Sequence, residues 1–122
     1  QGNPFINTGT SGGTIFLGAP ASFVTNLNVA GTATATNFIL SSDERLKENI
    51  KTLEPRKIDI KWKSFNLKTD DDYRTGVIAQ ELEKTNPEFV REDSKGFKSV
   101  AYIDLLIAKI AELEARLEKA GI

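Results

Sequence analysis

The sequence predicts an α+β fold, in which a short β-rich stalk precedes a small mixed domain that ends in a coiled-coil helix. Three observations lead to this prediction. Residues 1–40 carry no charged side chain, whereas all acidic and basic residues follow Ser42. Residues 57–63 alternate apolar with charged side chains, as a half-buried strand does. From Ile103 onward, apolar residues recur at steps of three and four, as in a coiled coil.

The change in charge places the domain boundary just before Ser42, so that residues 1–41 form the stalk and residues 42–122 form the domain. The chain opens on Gln1 without an initiator methionine, which suggests a fragment of a longer protein.

The composition excludes several kinds of site. The 122 residues include no cysteine and no histidine, so a disulfide, a thiol nucleophile and a Ser–His pair are excluded. The formal net charge of -1 argues against binding nucleic acid through its phosphates. No apolar run approaches the roughly 20 residues that span a bilayer, and no signal peptide is visible. We expect no metal, no cofactor, no nucleic acid and no membrane partner.

The uncharged residues 1–40 are rich in glycine, threonine, alanine and asparagine, and their short apolar pieces at 14–17 and 23–24 are typical of brief strands between turns. One such chain has too little apolar surface for a core of its own, so we expect three copies wound around one axis, similar to a triple β-helix. The alternative is a disordered low-complexity tail. Large apolar side chains such as Phe38, Ile39 and Leu40 favour the stalk.

A helix is predicted over residues 41–54. Ser41 and Glu44 fit a capping box at its start, and Pro55 ends it. Between them the apolar residues at helical spacing are Leu46, Ile50 and Leu53.

The next elements are a strand over 57–63, a solvated loop at Asp70–Asp72, and a strand end at Gly76 that runs into a short helix up to Thr85. In that helix Ile78 and Leu82 are expected to pack inward, while Gln80 and Glu81 cap it or face a neighbouring subunit. Residues 89–90 and 97–102 flank Asp93–Gly96, which predicts a β-hairpin with glycine in its turn.

The last predicted element is a helix with an apolar seam of about two heptads. Lys109 and Glu114 take g and e positions, at which side chains pair between chains. Isoleucine at a and leucine at d favour two strands by coiled-coil rules alone. The alternative is a helix that packs within one subunit. The predicted interface residues are Ile103, Leu106, Ile110, Leu113 and Leu117.

Three ordered motifs resemble a known family. Residues 42–47 follow the pattern S-D-x-R-x-K, residues 76–81 resemble a G-x-I-A-Q-E segment, and Val100-Ala101-Tyr102 with Leu105 resembles a strand-to-helix entry. Over residues 42–122 the chain is thereby similar to the C-terminal intramolecular chaperone domain of phage tail spikes and tail fibres, the peptidase S74 domain.

The resemblance implies a homotrimer that helps the preceding fibre stalk to fold and then cuts itself off just before Ser42, between Ser41 and Ser42. It assigns a serine–lysine dyad to Ser42 and Lys47. It also implies a stalk in the virion tail that serves host attachment, assembled in the host cytoplasm and freed of the chaperone after cleavage.

The expected chemistry is attack of Ser42 Oγ on the carbonyl of Ser41, followed by hydrolysis of the resulting ester. Lys47 can serve as the base if burial lowers its pKa toward the working pH. As supporting residues, Arg45 is expected to hold a carboxylate or the oxyanion, and Asp43 to cap the helix or orient Ser42; Gln80 and Glu81 complete the set.

Several alternatives remain open. Residues five apart on one helix lie about 140° apart, so Ser42 must precede the first turn or Lys47 must come from a neighbouring subunit. An ordinary helix cap at Ser41–Asp43 would make the domain a non-enzymatic trimerisation cap. A related self-cleaving domain occurs in membrane-bound transcription factors, but the uncharged stalk favours the phage assignment.

Overall fold

A computed structural model describes residues 13, 15 and 26–122. The chain divides into two compact units, Gln1–Leu46 and Lys47–Ile122. The strands predicted at 14–17 and 23–24 lie almost entirely outside the described residues, and residues 26–41 contain no helix or strand. The intertwined stalk therefore stays a prediction.

The helix predicted over residues 41–54 is wrong, because only a three-residue 3-10 helix, Glu44–Leu46, forms there. The Asp43 carboxylate accepts the N–H of Arg45, and the Asp43 carbonyl accepts the N–H of Leu46. These bonds form a single 3-10 turn that does not continue as a helix. Asn49 has a φ of 55°, which ends any right-handed helix. The apolar residues that suggested the helix remain exposed: Leu46, Ile50 and Leu53.

The first hairpin pairs strand β1 (Lys63–Phe65) with strand β2 (Arg74–Gly76), antiparallel and with Lys63 opposite Gly76. The strand predicted over 57–63 is thus misplaced, since pairing begins only at Lys63. The predicted alternation holds for Ile58, which is buried, and Ile60, which is partly buried, but Trp62 is exposed.

The loop of this hairpin is confirmed at Asp70–Asp72. The Asn66 side-chain amide donates to the carbonyls of Leu67 and Asp70, and the Asp72 N–H donates to the Asp70 carboxylate. The loop is therefore held by hydrogen bonds among its own residues.

The strand-to-helix transition at Gly76 is confirmed, with β2 leading into helix α1 (Ala79–Thr85). Leu82 packs inward as predicted, but Ile78 is 39% exposed and the buried neighbour is Val77. The Val77 N–H donates to the Tyr102 hydroxyl inside the domain. Val77 therefore faces inward, and its neighbour Ile78, the N-cap residue of α1, faces outward. A 3-10 helix, Pro87–Phe89, follows, and Pro87 prevents α1 from continuing.

The second hairpin is confirmed. It pairs strands β3 (Val90–Glu92) and β4 (Lys98–Val100). The Asp93 carboxylate accepts the N–H groups of Lys95 and Phe97, and Gly96 has a φ of 86°, a conformation that favours glycine.

The predicted C-terminal helix is also confirmed, as helix α2 (Tyr102–Lys119). It buries Leu105, which is 0% exposed, and Glu112, while Ala108 packs against the same core. The buried core therefore joins both hairpins, α1 and one face of α2; its members are Ile58, Val77, Leu82, Phe89 and Leu105. The described residues thus form a mixed α+β structure with two small two-stranded sheets.

Candidate functional site

The turn that follows Ser42 is held by one residue pair. Besides its backbone N–H, Arg45 donates from Nε to Asp43 Oδ1 at 3.0 Å and from Nη2 to Asp43 Oδ2 at 2.8 Å. These bonds from Arg45 hold the pKa of the Asp43 carboxyl below its ordinary value and raise the pKa of Arg45. Arg45 therefore holds a carboxylate, the first of its two expected roles, and Asp43 caps a 3-10 turn rather than an α-helix.

The proposed cleavage site lies immediately before this turn. Ser41 and Ser42 are exposed and belong to no helix or strand, and Lys47 follows Leu46, the last residue of the turn. Because no α-helix joins Ser42 to Lys47, the separation of about 140° that applies to helical residues does not apply here.

The structure brings the other two motif segments together. Tyr102, the first residue of α2, accepts the N–H of Val77 on its phenolic oxygen at 2.9 Å. The same phenol lies over Gly76, where an added Cβ would be 2.3 Å from the Tyr102 oxygen. Two segments about 25 residues apart in the chain thus form one contact, and the glycine leaves the space for it.

Gln80 and Glu81 lie in the first turn of α1. Gln80 is exposed, and Glu81 is half-buried with Oε1 3.8 Å from Lys63 Nζ. An acidic residue in a first turn also complements the helix dipole. These contacts give Glu81 a structural role, while the exposed Gln80 is placed where a second molecule has access to it.

The predicted interface seam lies on the face of α2 turned away from the core. Its residues are all between 43% and 56% exposed, whereas Leu105 on the opposite face is 0% exposed. The helix therefore packs within the chain through one face and leaves the seam uncovered in the single chain. The seam comprises Ile103, Leu106, Ile110, Leu113 and Leu117.

Lys109, for which the heptad pattern suggests a partner on another chain, has partners within its own chain. Its Nζ donates to Glu112 Oε1 at 2.8 Å and to the Ile58 carbonyl at 2.9 Å, within the chain. Glu112 Oε1 also accepts the Ile58 N–H at 3.1 Å, and Arg116 donates to Glu112 Oε2 at 2.5 Å. Sequence reasoning missed Glu112, although it lies seven residues after Leu105 and therefore on the same helical face.

Two kinds of feature are absent from the described part of the chain. Neither helix has the length and apolar character that crossing a membrane requires. The side chains described form no cluster of three histidine, cysteine, aspartate or glutamate residues suited to a metal ion.

Comparison with known protein families gives a match over part of the chain. Residues 42–91 match the family model of peptidase S74, described as the chaperone of endosialidase. The match begins at Ser42 and includes the second motif segment at 76–81, so the resemblance found in the sequence is confirmed over these residues. No curated protein and no solved structure matches the chain.

Proposed function

We propose that residues 42–122 are an intramolecular chaperone of the peptidase S74 type, which trimerises, folds the stalk of a phage tail fibre or spike, and releases itself by cutting between Ser41 and Ser42. The observation that carries this proposal is the family match, which starts at Ser42, together with Lys47 at the second dyad position. The stalk that precedes Ser42 is both the folding client and one product of the cut.

The exposed seam of α2 supports the trimeric assembly. Five large apolar residues uncovered on one helix face would leave an apolar stripe in water, which association of three helices removes. The core-facing residues of α2 stay within each subunit, so assembly requires no rearrangement of the core. The seam is too short to determine the number of chains, and the body of the domain contributes to that choice.

In the proposed reaction, Ser42 Oγ attacks the carbonyl carbon of Ser41, and Lys47 accepts the hydroxyl proton. The C–N bond breaks as the acyl group moves to oxygen, and the proton passes to the leaving α-amine of Ser42. Water then hydrolyses the ester, which leaves a carboxylate on Ser41 and restores the Ser42 hydroxyl. Lys47 acts within its own subunit or on a neighbour.

The supporting residues have distinct parts in this proposal. Asp43 and Arg45 fix the turn that follows the scissile bond, through a carboxylate–guanidinium pair with two side-chain hydrogen bonds. Gln80 is exposed at the start of α1, where we assign it contacts with a neighbouring subunit, whereas Glu81 keeps its ion pair with Lys63 within the chain. After the cut, the stalk remains in the virion tail for host attachment and the chaperone domain leaves.

The test is expression of the chain with its stalk residues, followed by a denaturing gel and a mass spectrum. We expect two products for the wild type, one that ends at Ser41 and one that begins at Ser42. Ser42→Ala and Lys47→Met should each give one uncut chain that still forms trimers in light scattering.

Ser94→Ala and Lys51→Met are matched controls, because both residues are exposed and belong neither to the dyad nor to the bond that is cut, and both variants should be cut like the wild type. Efficient cleavage of Ser42→Ala or Lys47→Met would contradict the mechanism. An uncut wild type that forms trimers would indicate a non-enzymatic trimerisation cap.

A further inference from the structure

Ile107 is as exposed as the residues of the seam, although it does not belong to the seam. It is 53% exposed, against 55% for Ile103 and 56% for Ile110. In the heptad register that places Ile103 and Ile110 at a, Ile107 takes an e position. Positions e and g usually carry charged side chains, as the next e residue, Glu114, does. The apolar residue at this e position therefore widens the uncovered stripe of α2 on one side of the seam.

A cavity continues the stripe on this side of α2. It has a volume of about 340 Å³, and its apolar lining includes Leu53, Phe89 and Ile107. Phe89 is 7% exposed and belongs to the core, whereas Leu53 is 55% exposed. Leu53 and Ile107 therefore present apolar surface to solvent at this cavity. We call Leu53, Phe89 and Ile107 the Ile107 flank.

The other side of the seam also ends in apolar surface. Tyr102 takes the g position just before Ile103, and it is 37% exposed although its hydroxyl is bonded to the Val77 N–H at 2.9 Å. Ile78, which is 39% exposed, and the exposed Gln80 line a second cavity together with Tyr102. We call Ile78, Gln80 and Tyr102 the Tyr102 flank. Because the hydrogen bond already orders the phenol ring, little side-chain entropy is lost when another surface packs on it.

Helical geometry places the two flanks on opposite sides of the seam. Around the axis of α2, Ile107 lies about 60° from Ile110 in one direction, and Tyr102 lies about 80° from it in the other. When helices associate in parallel, an e residue of one chain faces the g residue at the end of the preceding heptad on the next chain. For Ile107 that residue is Tyr102. Parallel association therefore brings together the two residues that depart from the usual charged e and g pair.

We propose that the Ile107 flank of each subunit packs against the Tyr102 flank of a second copy, so that the subunit interface continues from the seam into the body of the domain. This inference rests on the proposed function. The contact is heterologous, since each subunit offers one flank to each of its two neighbours, and three such contacts close a ring. It also specifies the surface that Gln80 meets on the neighbouring subunit, namely the cavity beside Ile107.

The charges around the two cavities favour this pairing of unlike flanks. The cavity at the Ile107 flank is also lined by Glu54, Glu88 and Asp104, and of these Glu88 is paired with Arg56. The residues that line the cavity at the Tyr102 flank include no carboxylate. Contact between two copies of the Ile107 flank would bring carboxylates of the same kind together, whereas contact between unlike flanks avoids this repulsion.

The first experiment locates the contact in the full chain. The photoreactive residue p-benzoylphenylalanine replaces Ile107, and trimers confirmed by light scattering are irradiated. Products larger than one chain on a denaturing gel are joined between chains, and mass spectrometry then identifies the attachment site. We expect attachment to the Tyr102 flank of another copy. The same probe in place of Lys119, which is exposed and lies about 180° from Ile110, is the control and should give no product joined between chains.

The second experiment measures what the contact contributes to association. Ile107→Ala removes apolar surface from all three contacts of the trimer, so the concentration at which half the chains are trimeric should rise at least about tenfold. Ile122→Ala is the matched control, because Ile122 is 88% exposed and follows the end of α2, and it should associate like the wild type. Leu113→Ala serves as the reference for association through the seam.

Attachment to the Tyr102 flank and weaker association of Ile107→Ala would both support the inference. Attachment only to residues outside that flank, in intact trimers, would overturn it and leave the trimer in place. Unchanged association of Ile107→Ala, with weaker association of Leu113→Ala, would overturn it as well, and it alone decides if the photoreactive residue prevents assembly. A wild-type chain that never forms trimers would refute the proposed assembly and this contact together.

Discussion

The phenolic oxygen of Tyr102 lies 2.9 Å from the backbone nitrogen of Val77, and this hydrogen bond fastens the start of α2 to the turn between β2 and α1. Val77 is buried, so its N–H has no access to water as an alternative partner. Gly76 has no side chain to obstruct the phenol. The contact explains in physical terms why a glycine and a tyrosine occur together in the two motif segments.

Gly76→Ala should destabilise the domain because its Cβ would be 2.3 Å from the Tyr102 oxygen and 3.1 Å from Cζ. Tyr102→Phe should cost about 1–3 kcal/mol, because it leaves the buried Val77 N–H without an acceptor. The two costs should not add, since the phenolic oxygen that meets the added methyl group in the first variant is absent from the second. Urea unfolding of both single variants and the double variant measures the coupling.

Gly31→Ala is the matched glycine control, because a Cβ at Gly31 would meet nothing within 4 Å. It should change the free energy of unfolding by no more than about 0.5 kcal/mol. Strict additivity of the Gly76 and Tyr102 substitutions would show that the two residues do not contact each other.

Substitutions on the two faces of α2 should have different consequences. Leu105→Ala removes a residue that is 0% exposed, and it should lower the free energy of unfolding of the domain by about 2–5 kcal/mol. Leu113→Ala, on the exposed seam, should leave the fold of the single domain intact and weaken association instead. Circular dichroism during urea unfolding, with light scattering over a concentration series, separates the two effects.

Ile110→Asp is the sharper test of the seam. In a trimer it would place three uncompensated carboxylates close together in an apolar interface, at a cost of several kcal/mol for each. We expect a folded domain that no longer forms trimers and that therefore does not cut itself. Light scattering that shows an intact trimer for this variant would argue against a coiled coil at the seam.

The domain should lose stability in acid because, besides the exposed Asp43, the carboxyls of Glu88 and Glu112 have lowered pKa values. Hydrogen bonds from Lys109 and from the Ile58 N–H lower the pKa of Glu112. Burial raises the pKa of Glu88, but its backbone hydrogen bond and its contacts with Arg56 outweigh burial, so the pKa of Glu88 is lowered as well. The folded state then binds protons more weakly than the unfolded state. The stabilisation is complete above the ordinary value of 4.5 and is lost as the pH falls through the folded-state pKa values.

Urea midpoints measured from neutral pH down to about pH 3 should fall for the wild type. Glu112→Gln should show a shallower fall, because glutamine keeps the bond to Ile58 and has no proton to gain. Parallel curves for the two proteins would show that Glu112 has no part in the acid effect.

Cleavage should make assembly irreversible. An uncharged stalk with many small residues has little to align three chains, so ordering them is costly until the chaperone holds them together. Once residues 42–122 are removed, the stalk should persist through a slow rate of unfolding rather than through reversible stability. We therefore expect uncut chains to refold after denaturation and cut chains to fail.

This prediction is measured with a longer chain that carries more of the stalk, as wild type and as Ser42→Ala. Both are unfolded in denaturant, diluted, and assayed for trimers. Equal yields of refolded trimer from the cut and uncut proteins would show that residues 42–122 act only as a trimerisation cap and not as a chaperone.

The sequence by itself determined those features that depend on neighbours in the chain. The hairpin turn at Asp93–Gly96 follows from a carboxylate that bonds the next amides and a glycine that tolerates positive φ. The strand-to-helix transition at Gly76 and the existence of helix α2 follow from the spacing of apolar residues. The motif at residues 42–47 was also visible without a structure, as the family match over residues 42–91 confirms.

Only the tertiary structure decided what covers an apolar residue and what satisfies a buried backbone. Leu46, Ile50 and Leu53 have helical spacing, yet none of them is buried, and the amides of Arg45 and Leu46 bond back to Asp43. Ile58 has the pattern of a strand residue, but its partners are side chains about 50 positions away on α2. Periodicity reports which side chains share a face, whereas the partners of a buried N–H, carbonyl or carboxylate depend on contacts between distant parts of the chain.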